Sequence, residues 1–440
     1  VSDEKISSKW KPEHPVVIAP LASRFVEFPR EVRLVEPDGV SSGATYPVGF
    51  MASGIVAGLK ESGRPDVGVL AVSPEWRKTT TSAGVFTTNA FAAAPVILDK
   101  TECDLGRLVA VAMNSANANA CTGEAGLAVA RAMQSACAQE LGVPPSQVAV
   151  CSTGIIGVQL DTEVVAAGVR KAAAAVHPDG GRELNQSIMT TDRFPKICAV
   201  EVETPDGMVK LGVSGKGAGM ISPAMATMLC VVTCDAVLEP SETETLLRDA
   251  VAGSFNSITV DGEMSTNDTV LFLSNGASGV RPGKDSLRLI GAALEAMLLR
   301  VALMIVADGE GATKVMRLRV TGAGNDDDAM KVARAIADSP LVKTAMHGGD
   351  PNWGRIISSA GAAMAGRSLP EARLDLCGVT VVDKGAACPV TADARARMTA
   401  GVKSPEVDIE LDLGMDDASA VLYFADMGHE YITINAEYHS

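Results

Sequence analysis

Two periodicities alternate along the chain. Short runs of β-branched and aliphatic residues, bounded by glycine or polar clusters, read as buried strands at residues 67–72, 84–88, 95–98, 108–113, 148–151 and 228–234. Residues 199–203 and 208–214 flank Pro205-Asp206-Gly207, which signals a hairpin. Elsewhere apolar positions recur at helical spacing. They predict helices over 123–141, closed by Gly142 and Pro144, over 162–176, and over 241–256, opening on a Ser241-x-x-Glu244 capping box. Leu287, Leu294, Leu298, Val301 and Ile305 place a long helix near 286–307. From Met316 the pattern runs strand, helix, loop, helix and ends in strands at 407–413 and 421–424. That suggests a smaller C-terminal lobe of about 316–430. Strands interleaved with helices predict an α/β fold from residue 50 onward. The first 45 residues are proline-rich and irregular apart from a strand candidate at 31–35.

Composition narrows the function. With 47% hydrophobic and 21% charged residues the chain is globular, and with 4% aromatics its core is built from Ala, Val, Ile, Leu and Met. A net charge of −15 and few stacking rings disfavour nucleic acid and anionic membranes as partners. The charged start, VSDEKISSKWKPEH, lacks the apolar core of a secretory signal, so a cytoplasmic setting is expected. The most apolar stretch, 291–307, carries Glu295 and Arg300 and reads as a core helix. Nine cysteines are scattered without a CxxC pair. Cys230 and Cys234, on one strand face, would lie about 13 Å apart, too far to share a metal. No metal site is expected, and buried thiols in a reducing compartment are the better reading.

Common catalytic signatures fail: there is no GxxxxGK[ST], HExxH or GxSxG, and the glycine-rich run at 215–219 is not followed by a helical pattern. What remains is a set of small and hydroxylic clusters. Ser152-Thr153-Gly154 follows a strand, Thr190-Thr191-Asp192 precedes one, and Thr227 ends a Gly/Ser/Pro/Ala loop. Small residues at a strand end let backbone N–H groups face a cleft, as an oxyanion hole requires. Each cluster alone also reads as a turn or cap. A threonine hydroxyl needs a base, and no histidine can be named for Thr227. Cleavage before Thr227 would supply one, because the freed α-amine has a pKa of about 7.7–8.0.

These clusters fall within longer segments. They include Thr87-Thr-Asn-Ala-Phe-Ala-Ala-Ala-Pro95, Asn114-Ser-Ala-Asn-Ala-Asn-Ala-Cys-Thr-Gly123, Ser152-Thr-Gly-Ile-Ile-Gly157, Met189-Thr-Thr-Asp192 and Lys216-Gly-Ala-Gly-Met-Ile-Ser-Pro-Ala-Met-Ala-Thr-Met-Leu229. Further on are Ser265-Thr-Asn-Asp-Thr269, Gly349-Asp-Pro-Asn-Trp-Gly-Arg355 and Tyr431-Ile-Thr-Ile-Asn-Ala-Glu-Tyr438. Over about residues 45–440 the chain resembles the ornithine acetyltransferase (glutamate N-acetyltransferase) family. The resemblance implies a layered α-β-β-α sandwich with a smaller C-terminal α/β lobe. It implies self-cleavage of the Ala226–Thr227 bond into an α-chain, 1–226, and a β-chain, 227–440, assembling as α2β2. Thr227 would then be the nucleophile, taking acetyl from N2-acetylornithine and giving it to glutamate. Thr153 and Gly154 would form the oxyanion hole. Thr190, Lys216, Thr227, Glu310, Asn435 and Ser440 would contact substrate, with Lys216 matched to a carboxylate and Glu310 to an ammonium group. No cofactor is implied for this transfer; acetyl-CoA as a second donor, found in bifunctional relatives, stays open.

Two positions depart from the family pattern. Ala116 stands where glycine is usual, and Arg193 adds a cation where a small residue usually follows Thr-Thr-Asp. The alternatives are therefore a paralogue for another acylated amino acid, an N-terminal-threonine amidohydrolase or aminopeptidase, and an uncleaved binding protein. The 350–355 segment reads better as a structural Pro/Gly turn with a Trp anchor, and the 265–269 segment as a support to the site or a strand cap. The proposed cut would also divide the charge. Residues 1–226 hold 20 Lys+Arg and 23 Asp+Glu, and residues 227–440 hold 18 and 30, so the near-neutral first fragment carries Lys216.

Overall fold

Period-two burial builds two sheets in the first of two units, Phe25–Glu310. The computed structural model describes residues 23–35, 43–222 and 228–437. The larger sheet contains β1 (Val32–Val35), β4 (Thr81–Phe86), β7 (Lys196–Thr204), β8 (Gly207–Lys216), β9 (Leu229–Cys234) and β11 (Thr269–Ser274), in the order β1-β7-β8-β9-β11-β4. Only the β9–β11 pairing is parallel. The smaller sheet has the order β2-β3-β5-β6, from β2 (Phe50–Ile55), β3 (Val67–Val72), β5 (Ala110–Asn114) and β6 (Val148–Ser152).

Alternating residues separate the faces. Leu70, Val72, Val111 and Met113 of the smaller sheet share a core with Leu229, Val231, Leu271 and Leu273 of the larger. The intervening residues Val69, Ala71, Ala110 and Ala112 pack instead on helices α1 (Ala94–Glu102), α2 (Gly123–Leu141) and α3 (Thr162–Ala174). Helices α5 (Pro240–Ala252) and α6 (Lys284–Ala307) pack on the larger sheet. The result is an α-β-β-α sandwich. Helix α4 (Gly181–Ile188) inserts Leu184 and Ile188 at the edge of the inter-sheet core, and β10 (Ile258–Thr259) is a two-residue strand.

Three sequence expectations change here. Residues 95–98 lie in helix α1, not in a strand, because Pro95 sits in a first turn whose N–H needs no helical partner. Helix α5 starts at Pro240, and its capping box is Glu239 with Glu242 rather than Ser241 with Glu244. The strand expected at 84–88 is β4, Thr81–Phe86. Among the described residues α6 alone is long and apolar enough to cross a membrane, and most of it is buried in the protein core. The nine cysteines are all free thiols, five of them buried.

The second unit comprises Gly311–Glu437 together with Ser23 and Arg24. Strands β12 (Val315–Ala323), β13 (Arg373–Leu376), β14 (Val379–Asp383), β15 (Ala386–Ala387), β16 (Glu406–Asp412) and β17 (Ala418–Ala425) pair as β17-β12-β16-β13-β14-β15. Helices α7 (Asp326–Ala337), α8 (Pro340–Gly348), α9 (Trp353–Ala363) and α10 (Ala392–Val402) accompany this sheet. Leu318, Val320, Val332, Ile336, Ile409 and Leu422 are in its core. The unit ends in helix α11 (His429–Glu437), which the sequence pattern did not anticipate.

Candidate active site

Neighbouring strand ends of the first unit bring two of the hydroxylic clusters together, those at 152–154 and 190–192. β6 ends at Ser152, so Thr153 and Gly154 begin a loop whose amides are fixed on both sides. Thr153 N donates to Asn114 O at 3.0 Å and Ile155 N to Ala116 O at 3.1 Å. Gly154 has φ +135°, and a Cβ there would lie 2.2 Å from the Ala116 carbonyl carbon. Only glycine fits that backbone contact. Asn267 ties in a third segment, its Nδ2 donating to Ala118 O at 2.6 Å and Ser152 O at 2.9 Å. Ser152 Oγ donates to Asn114 Oδ1 at 2.6 Å. The asparagines of these motifs therefore stitch the loops to one another.

β8 delivers the cation. Lys216, its last residue, is buried, and Nζ donates to Thr153 Oγ1 at 3.3 Å. A hydroxyl that accepts from an ammonium is left with its own proton to donate elsewhere. Next to this pair lies a buried ionic network at the open end of the β7–β8 hairpin. Asp192 Oδ1 accepts from Lys196 Nζ at 2.5 Å and from Gly217 N at 2.8 Å, and Oδ2 accepts from Thr190 N at 2.9 Å. One carboxylate thus orders the Thr190 loop, the start of β7 and the turn after Lys216. Lys196 also pairs with Asp308, just past the end of α6.

The charges set one another. Burial opposes ionisation of Asp192, but Lys196 and Lys216 outweigh it and hold the carboxyl well below its usual range. Burial lowers the Lys216 ammonium, with Asp192, Asp268 and Glu310 resisting and Lys196 assisting. Burial pushes Asp268 well above the usual carboxylate range, even though its Oδ1 accepts from Met228 N at 2.9 Å. Lys60 was not anticipated from the sequence. Its Nζ donates to Met189 O and Pro65 O, both at 2.8 Å, and burial with neighbouring Arg64 brings it down to about 8. Its partners lie one residue before Thr190 and on its own loop, a combination that no local spacing signals.

The other anticipated residues are distributed unevenly. Thr190 is half-buried and joined to Asp192. Glu310 is half-buried; its N–H donates to Ala218 O at 3.2 Å and its carboxyl lies against Gly219. Asn435 is on α11 of the second unit, where Nδ2 donates to Tyr431 O at 3.0 Å. Ala226, Thr227 and Ser440 lie outside the described residues. Arg193 is not a loose cation. Its Nε pairs with Asp308 at 2.7 Å, its N–H donates to the same carboxylate at 2.9 Å, and its guanidinium reaches Ala307 O at 3.0 Å. That ties it to the end of α6.

Comparison with known proteins decides the family. The ArgJ family profile matches residues 51–440. The chain belongs to the ArgJ family. A Symbiobacterium thermophilum relative named arginine biosynthesis bifunctional protein ArgJ is 42% identical over 91% of this chain and 99% of its own length. A Nitratidesulfovibrio vulgaris protein of the same name is 40% identical over 90% and 99%. The solved ornithine acetyltransferase of Mycobacterium tuberculosis, complexed with ornithine, is 38% identical over 45% of this chain and all of that one, with a TM-score of 0.39. Within this ArgJ-family chain, the matched region takes in all the buried polar groups described above.

Proposed function

We propose that the protein is a self-processing acetyltransferase of arginine biosynthesis that passes acetyl from N2-acetylornithine to glutamate through Thr227. Its membership of the ArgJ family supports this, as do the names of its relatives. The observation that carries it is the buried Lys216–Thr153 hydrogen bond beside the Asp192 network.

In processing, the Thr227 hydroxyl oxygen bonds to the Ala226 carbonyl carbon and the carbon–nitrogen bond breaks. The hydroxyl proton ends on the departing nitrogen. Water then hydrolyses the ester, leaving an Ala226 carboxylate and a free Thr227 with its hydroxyl restored. In the first half of transfer, the Thr227 α-amine takes the hydroxyl proton while the oxygen attacks the acetyl carbonyl. Ornithine leaves with that proton and acetyl-threonine remains. In the second half the glutamate amine attacks this ester, the bond from the acetyl carbon to the Thr227 oxygen breaks, N-acetylglutamate leaves and the amine's proton returns to the hydroxyl, which makes the kinetics ping-pong.

Lys216 turns the Thr153 hydroxyl outward as a donor to the oxyanion, alongside the Gly154 N–H. Loss of one such donor typically costs about 10²–10³ in rate. Thr190, Glu310, Asn435 and Ser440 complete the substrate contacts in this reading. Acetyl-CoA is proposed as a second acetyl donor, in keeping with the word bifunctional in the relatives' names. The cleaved chains assemble as α2β2, and the nine free thiols suit a reducing cytoplasm.

Denaturing electrophoresis with intact mass, followed by assays with N2-acetylornithine with and without glutamate, tests the reading. Two fragments meeting at Ala226 and Thr227, with glutamate-dependent release of ornithine, are expected. A single 45.4 kDa chain would defeat it. Acetate release independent of glutamate would make the protein a hydrolase instead.

A further inference from the structure

One short segment grips the chain on both sides of residues 223–227. Upstream, Asp261 Oδ2 accepts from Met220 N at 2.7 Å and Oδ1 from Ile221 N at 2.9 Å. Ile221 O in turn accepts from Val260 N at 2.8 Å and from Thr259 Oγ1 at 3.1 Å. Downstream, Asp268 Oδ1 accepts from Met228 N at 2.9 Å, and Met228 O accepts from Thr269 N at 3.1 Å. The two carboxylates are seven positions apart. Each accepts from backbone amides that flank residues 223–227, and neither forms an ion pair with a cation among the described residues. Asp268 is fully buried. Asp261 is half-buried, and its Oδ1 also accepts from Glu263 N at 3.2 Å. Burying a carboxyl this way is costly without a geometric return. Ordinary turn closure would not need two carboxylates, one on the chain before residues 223–227 and one on the chain after them.

We propose that Asp261 and Asp268 are positioning residues for self-processing: a two-point clamp that fixes Met220–Ile221 on one side of the scissile bond and Met228 on the other. The proposal rests on the cleavage described above, in which the Thr227 oxygen bonds to the Ala226 carbon and the Thr227 nitrogen leaves with the hydroxyl proton. Attack on the preceding carbonyl requires a near-attack arrangement, and small misplacements are expensive in rate. After cleavage the clamp divides. Asp261 then holds only the tail of the first fragment, whereas Asp268 still holds the residue next to the nucleophile. The two carboxylates therefore have different consequences for transfer.

The full chain is expressed with Asp261→Ala, Asp268→Ala or Asp268→Asn. Fragment appearance is followed by electrophoresis, and transfer is measured per cleaved molecule. Asp261→Ala is expected to slow cleavage about 10- to 100-fold while leaving transfer per cleaved molecule unchanged. Asp268→Ala is expected to slow both. Asp268→Asn, whose amide oxygen still accepts from Met228 N, is expected to restore cleavage to within about threefold of the unmodified chain. Should Asp268→Ala fail to fold, Asp261→Ala and Asp268→Asn decide the matter. Unchanged cleavage in Asp261→Ala, or an Asp268→Asn variant with cleavage slowed by about tenfold or more, overturns the clamp. If the unmodified chain is not cut before Thr227, both the processing reading and the clamp fall. If it is cut and Asp261→Ala is cut equally fast, only the clamp falls.

Discussion

Ala116 and Gly154 meet at a backbone contact where each has an unusual conformation. Ala116 has φ +75°, a region that costs a residue with a Cβ roughly 1–2 kcal/mol. Ala116→Gly is therefore expected to raise stability by about 0.5–1 kcal/mol in denaturant titration, the gain being reduced by the freer unfolded chain. Gly154→Ala goes the other way: the new methyl meets Ala116 and Asn117 backbone atoms at 2.2–2.5 Å. If this loop forms the proposed oxyanion hole, transfer should fall at least about 10²-fold, measured as kcat, as the loop is displaced. The loop at Thr153 and Gly154 was legible in the sequence as a small-residue strand end. Asp192 as a hub was not. Its partners Lys196 and Thr190 are local, but Gly217 is on another strand end and is joined only by folding. Lys60 was invisible for the same reason, since its acceptor at Met189 is 129 positions away.

At the scale of elements, α6 is fastened to β7 through Asp308, which takes both Lys196 and Arg193. Removing one cation leaves a buried carboxylate under-compensated. Arg193→Met should lower stability by about 2–4 kcal/mol while leaving KM for donor and acceptor within about twofold. An altered substrate preference instead would return Arg193 to the specificity question its sequence position raised. The turn after β9 carries a different liability. Burial pushes the Asp235 carboxyl up to about 6 from 3.8, with Lys210 N as its hydrogen-bond donor. The folded carboxyl is then the weaker acid, so the unfolded chain loses its proton first. The cost is absent below about pH 4 and complete above about pH 6. Asp235→Asn should flatten stability across that window and add at most about 3 kcal/mol at pH 7. Strand and helix types were largely readable from periodicity. The exception at 95–98 is instructive: three apolar residues after a proline fit a strand or a first helical turn, and packing against β6 decided it.

Across the whole molecule, the proposed cut would fall between adjacent strands of one sheet. In the order β1-β7-β8-β9-β11-β4, β9 and β11 would belong to the second fragment and all four others to the first. The second fragment's strands are therefore paired on both sides, Leu211–Lys216 against β9 and β4 against β11. Separation would strip two ladders and split the inter-sheet core. The two fragments should co-elute on size exclusion in native buffer and part only in denaturant. Sequence motifs marked where the cut would come. They could not reveal this interleaving, because β4 returns from far upstream to close the sheet.

The same strand order sets a sequence of events in biosynthesis. β9 and β11 enter a sheet whose far edge was synthesised well before them, so two halves made apart would each expose unpaired ladders and half a core. If cleavage depends on the assembled loops, the cut records that a molecule has already folded. In a cell lysate, the ratio of cut to uncut bands would then read out the folded fraction. Destabilising substitutions far from Thr227 would appear as full-length protein before any activity was measured.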